Sequence, residues 1–153
     1  MDRLLLERSF RLVADADAEF TMHFYRRLFS EHPSAKRLFG ENIRPQAAML
    51  QRAIVSVLEH LDDPGWLSES LGSLGRVHAS LGVTPRMYGW VATTLVDSMA
   101  DIGGEKWTDD MSAAWTEALT AIAAMMLDAY PDESGNTGPD NEHLLSGNGR
   151  HRR

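Results

Sequence analysis

Apolar residues return every three or four positions along almost the whole of this chain. No window shows the sustained two-residue alternation, closed by a hairpin turn, that a half-buried strand requires. That periodicity predicts an all-α fold. Turn-forming residues interrupt it at Asp15 to Asp17, His32-Pro33, Gly40 to Pro45, Asp62 to Gly65, Gly82 to Pro85 and Gly103 to Thr108, which leaves six substantial helices and one short one. Two of the starts carry capping chemistry. Thr84 stands before a first-turn proline, Pro85, and Thr108 precedes Asp109 and Asp110 at the positive end of a helix.

With 153 residues and 43% hydrophobic content the chain can bury one sizeable core, and residues 1–130 are expected to form that single domain. From Pro131 onward Gly, Asn, Pro and Asp dominate, with one pair of leucines. That is too little apolar surface to offset the entropy of ordering, so 131–153 reads as a disordered tail. A net charge of -7 repels phosphate backbones and argues against nucleic acid as a partner. The absence of cysteine rules out disulfides, thiolate metal ligands and a cysteine nucleophile, and fits a cytoplasmic protein. The opening segment breaks its short apolar run at Glu7 and Arg8, so neither a signal peptide nor a membrane span is expected there.

Three polar residues fall on apolar helix faces. Leu67, Leu71, Leu74, His78 and Leu81 alternate spacings of four and three, which puts the imidazole of His78 where those leucines point. Such a histidine is either a metal ligand or a core residue bonded to a carbonyl. Gln46 shares a face with Leu50, Ile54, Val57 and Leu61, as an inward-facing amide or as a first-turn residue serving free backbone donors. Tyr25 lies among Phe24, Leu28 and Phe29, so its hydroxyl needs a partner, either backbone or ligand. Each buried polar group left unpaired would cost about 1 to 3 kcal/mol, and one shared ligand would satisfy all three.

Read in order, HFYRRLF, HPSAKRLF, PQAAMLQRAI, LGRVHASLGVTPRMY and AAWTEALTAIAAMM resemble the single-domain bacterial globins and the globin half of flavohaemoglobins, over about residues 1–130. The resemblance implies a globin fold of six to seven helices around a haem pocket. His78 would then be the proximal iron ligand, and Tyr25 and Gln46 would form the distal pocket. Phe39 matches the phenylalanine that packs against the porphyrin, Leu50 an apolar distal wall residue, and Tyr88 the proximal-side tyrosine. An ungapped alignment would put Met49 in the distal position, whereas the gapped one keeps Leu50 and the following LQRAI in register. One departure is plain. The family's proximal glutamate position holds Tyr130, and Asp128, two residues away, points elsewhere, so the resemblance does not imply strong electron donation through His78.

The implied cofactor is non-covalent haem b, since a cysteine-based attachment motif is absent. The implied function is reversible binding of dioxygen, with carbon monoxide and nitric oxide as further ligands. Nitric oxide dioxygenation, giving nitrate, is the alternative, and a gas-sensing role a third. The sequence carries no glycine-rich dinucleotide fingerprint, so a dioxygenase cycle would call for an external reductase. His32 and His60 read as solvated helix-end residues, and Arg44 and Arg76 as candidates for pairing with haem propionates.

Overall fold

The computed structural model describes residues 1–131, and the expected tail lies outside the described residues from position 132 on. Six α-helices form among the described residues: α1 (Arg3–Val13), α2 (Glu19–Glu31), α3 (Arg44–Glu59), α4 (Pro64–Ser80), α5 (Pro85–Gly103) and α6 (Asp109–Asp128). A 3-10 helix over Pro33–Leu38 is the short helix expected after His32. A second, over Gly104–Lys106, fills a break that the sequence marked only as a turn. No strand forms among the described residues, so the all-α class holds.

Local chemistry accounts for the helix boundaries. The side chains of Asp2, Asp63 and Thr108 accept hydrogen bonds from the backbone N–H groups of Leu5, Trp66 and Met111, each satisfying a donor that the first turn leaves free. Thr84 does sit at the N-cap of α5, but its side chain makes no capping bond, and Pro85 alone marks that start.

The end of α4 is the most closely determined boundary. Gly82 takes φ +91°, a left-handed conformation that a side chain would strain. Its N–H donates to the Ala79 carbonyl at 3.1 Å, while the Val83 N–H donates to the His78 carbonyl at 3.0 Å. This pair of bonds is a Schellman motif, and it turns the chain directly from α4 into the loop before α5.

The main core joins α1, α2, α5 and α6 through Leu6, Phe10, Phe20, Phe24, Leu95 and Trp115. The Trp115 indole N–H donates to Ser9 Oγ at 2.7 Å, and Ser9 donates in turn to the Leu5 carbonyl at 2.7 Å, so a satisfied polar chain ties α6 to α1 inside the core. A second, smaller cluster joins Leu67 and Leu71 of α4 to Met126 of α6. Here the helices meet backbone to backbone, because a Cβ built on Gly75 would lie 2.2 Å from the Met126 carbonyl oxygen.

Candidate functional site

Between the two clusters lies a cavity of about 190 Å³, walled by α3, α4, α5 and α6 and touched by Leu6 from α1. Leu50, Ile54 and Val57 line it from α3, Leu71, Leu74 and His78 from α4, and Ile122 and Met126 from α6. Val83 and Tyr88 close it from the α4–α5 turn and the first turn of α5. The face predicted from Leu50, Ile54, Val57 and Leu61 therefore does point at one common space. The stripe on α4 behaves differently along its length. Leu67 and Leu71 are buried, Leu74 is 38% exposed and Leu81 is 64% exposed, so the stripe leaves the core toward its C-terminal end and the cavity reaches solvent there.

His78 Nδ1 lies 2.9 Å from the Leu74 carbonyl oxygen. A carbonyl can only accept, so Nδ1 carries the proton and Nε2 keeps its lone pair. Burial pushes the imidazole pKa below its ordinary value, partly offset by the bond to Leu74, and the ring is neutral at neutral pH. A neutral imidazole with its second nitrogen anchored to a backbone carbonyl is the form in which histidine binds a metal. The walls around it are overwhelmingly aliphatic, which suits a large apolar prosthetic group rather than a hydrated ion. No cluster of three or more acidic, histidine or cysteine side chains that could hold a metal ion occurs among the described residues.

The other residues singled out from the sequence divide into two groups. Leu50 and Tyr88 share the cavity wall with His78, whose ring centroid lies 6.2 Å from that of Tyr88. Tyr25, Phe39 and Gln46 are not among the lining residues. Tyr25 is buried in an aromatic group with ring centroids 4.8 Å from Phe24 and 5.3 Å from Phe39. Burial pushes its phenol pKa up to about 12, so the hydroxyl keeps its proton. Gln46 is half-buried in the first turn of α3, one turn before Leu50, whereas Met49, the distal residue of the ungapped alignment, is 53% exposed. Arg44 and Arg76 are exposed. The two helix-end histidines are half-buried rather than solvated. His32 stacks on Trp90 with centroids 4.3 Å apart and His60 on Trp66 at 3.7 Å, and His60 Nδ1 also bonds the Ser56 carbonyl. Neither lines the cavity.

Residues 22–126 match the Globin family. The chain belongs to the globin family. This globin is 33% identical to a flavohemoprotein of Rhizobium meliloti over 107 residues, which is 68% of the chain but 27% of that relative. It is 30% identical to a flavohemoprotein of Chromobacterium violaceum over 128 residues, 82% of the chain and 32% of the relative. The chain thus spans roughly a third or less of the length of the curated relatives it matches. Among solved structures it is similar to a bacterial globin from Campylobacter jejuni, with a TM-score of 0.72 at 18% identity over 83% of this chain and 92% of that one. It is also similar to an engineered carbene transferase from Rhodothermus marinus, provisionally named a nitric oxide dioxygenase, with a TM-score of 0.71 at 25% identity over 81% and 87% of the two chains. The globin fold expected from the sequence is therefore the fold observed, and the protein is a haem globin.

Sequence reading missed one contributor to this site, and it placed a second, Tyr130, at the family's glutamate position without finding its bonds. Gly75 lets α4 lie against the α6 backbone and so sets where His78 stands, yet a lone helical glycine carries no distinctive signal. Tyr130 donates a hydrogen bond to the Val83 carbonyl at 2.8 Å, with its oxygen 3.0 Å from that of Tyr88. Nothing in local spacing links positions 47 residues apart.

Proposed function

We propose that this globin binds dioxygen reversibly on haem b held by His78. The observation that carries the reading is the neutral His78 imidazole on the wall of an apolar cavity, with Nδ1 tied to the Leu74 carbonyl. Haem, when bound, supplies the iron that takes a diatomic gas and the redox chemistry that converts nitric oxide to nitrate. His78 would hold the group through Nε2, and its bond to the Leu74 carbonyl keeps the ring in one tautomer. Leu50 and its aliphatic neighbours on α3 would keep water from the bound group, and Phe39 packs against the main core. Tyr88 closes the proximal side. Tyr25 and Gln46 would serve as hydrogen-bond donors to a polarised gas, and the Tyr25 phenol remains a donor throughout the physiological pH range.

Nitric oxide dioxygenation with an external reductase is the second reading, favoured by the similarity to flavohemoproteins and to the Rhodothermus marinus protein. It uses the same residues in the same roles. Because the chain contains no cysteine, the haem is non-covalent and acid extraction releases it. The expected result is a purified protein with a haem absorption band that shifts on reduction and again with carbon monoxide. His78→Ala should lose haem, or retain it only when imidazole is added to fill the vacated axial position, while His32→Ala and His60→Ala keep it. A colourless wild-type protein that fails to take up added haemin overturns the proposal, and so does a His78→Ala protein with the wild-type ferrous spectrum.

A further inference from the structure

The loop that follows His78 is held at its far end by a side chain from the last residues described. The Schellman motif on Gly82 returns the Val83 N–H to the His78 carbonyl. Val83 also contributes to the cavity wall, and its own carbonyl accepts from the Tyr130 hydroxyl. A carbonyl cannot donate, so the Tyr130 proton is committed to Val83. Tyr88 must then supply the proton in the 3.0 Å contact between the two phenols. The rings meet edge to face, with centroids 5.9 Å apart at 72°. Three separate pieces of the wall beside His78 thus converge on one hydroxyl at the C-terminal end of α6: the α4–α5 turn, Tyr88 of α5 and α6 itself.

We propose that Tyr130 is a positioning residue for the His78 side of the haem site, clamping Val83 and Tyr88 so that the imidazole has a single orientation. The inference rests on the reading of His78 as the haem ligand. Its reach comes from connectivity, since Val83 is bonded through its N–H to His78 itself and through its carbonyl to Tyr130. Burial, and then the shared bond to Tyr130, raise the pKa of Tyr88, so its hydroxyl keeps the proton it donates to Tyr130. Among the described residues no carboxylate takes part in the clamp, and it acts on His78 through geometry rather than by drawing on the Nδ1 proton, which the Leu74 carbonyl already accepts.

Tyr130→Phe keeps the ring and its edge contact with Tyr88 and removes only the hydroxyl. In the haem-loaded variant the iron–histidine stretching band should broaden or split, reporting more than one ring orientation, and transfer of haem to an acceptor protein should be about 2- to 10-fold faster. Independently of haem, amide exchange at Gly82 and Val83 should rise by a similar factor in Tyr130→Phe. It should stay near wild type in Tyr88→Phe, which leaves the bond to Val83 intact. A variant that melts at lower temperature but keeps the wild-type iron–histidine band would make Tyr130 a structural prop and overturn the proposal. Unchanged amide exchange in the turn would overturn it whether or not haem is bound. Failure of the wild-type protein to bind haem would instead overturn the assignment of His78, while the exchange measurement would still report on the clamp.

Discussion

A phenol surrounded by other aromatic rings is an expensive place for a hydroxyl unless that hydroxyl has work to do. Tyr25 is 8% exposed between Phe24, Phe29 and Phe39. A hydrogen bond from such a group to a charged or strongly polarised ligand is worth about 1.5 to 3 kcal/mol. Tyr25→Phe should therefore speed dioxygen dissociation by roughly one to two orders of magnitude, whereas carbon monoxide, being less polarised, should respond less. Stopped-flow displacement measures both. The ring is not among the residues lining the cavity, and an unchanged rate would mean that the hydroxyl does not reach the gas and that the distal role passes to Gln46, one turn before Leu50. Met49 is a weaker heir, with half of its surface in solvent.

For α4 the decisive quantity is its separation from α6. Gly72 and Gly75 both lie on the face turned toward α6, but they are not equivalent. A methyl group on Gly75 would overlap the Met126 backbone, which cannot move without displacing α6, whereas one on Gly72 would meet its nearest neighbour, an Arg76 side-chain nitrogen, at 3.7 Å. Gly75→Ala should cost about 1 to 3 kcal/mol through overpacking. That corresponds to a fall in melting temperature of about 2 to 12 °C for a domain of this size. It should also speed haem loss, because the helix that yields is the one bearing His78. Gly72→Ala should be neutral or stabilising by up to about 1 kcal/mol, since alanine is the better helix former and the space exists. Thermal melts of the two variants separate the cases, and equal destabilisation would remove the close approach at Gly75 as the cause.

Across the whole molecule, α2 is pinned to α5 on the outside by a small ionic network. Arg27 pairs with Glu31 at 2.8 Å and with Asp101 at 2.5 Å, and His23 Nε2 lies 2.9 Å from Asp101. The hydrogen bond from His23, and then Arg27, hold the Asp101 pKa below its ordinary value. A carboxylate with a depressed folded pKa stabilises the fold above its unfolded pKa, and that contribution is lost as pH falls through the lower, folded value. The side chain is 43% exposed, so the effect is small and is screened by salt. Asp101→Asn should therefore lower stability modestly at neutral pH. The gap from wild type should close as the solution is acidified below the ordinary carboxylate range, and narrow in high salt. Denaturant titrations across pH check this, and a gap that widens on acidification would contradict it.

The helical class, the six long helices and most of their boundaries were legible in the sequence because they follow from short-range causes: apolar period, proline at a first turn, a cap residue, glycine after a helix end. The inward face of α3 and the place of His78 on α4 were legible for the same reason, since a 3.6-residue period alone decides which side chains share a side. Local pattern could not say where that side ends. Leu81 continues the stripe yet lies in solvent, because α4 runs past the edge of the body it packs on. Nor could it say that Leu50 lines the cavity while Tyr25 and Phe39 do not, which depends on how α2 and α3 pack. The approach of Gly75 to Met126 and the junction of Tyr130 with Val83 and Tyr88 are contacts between residues 42 to 51 positions apart. No period or motif encodes such distances along the chain. They come into being only when helices of given length and turn geometry pack against one another, and that packing decides how the environment of His78 is built.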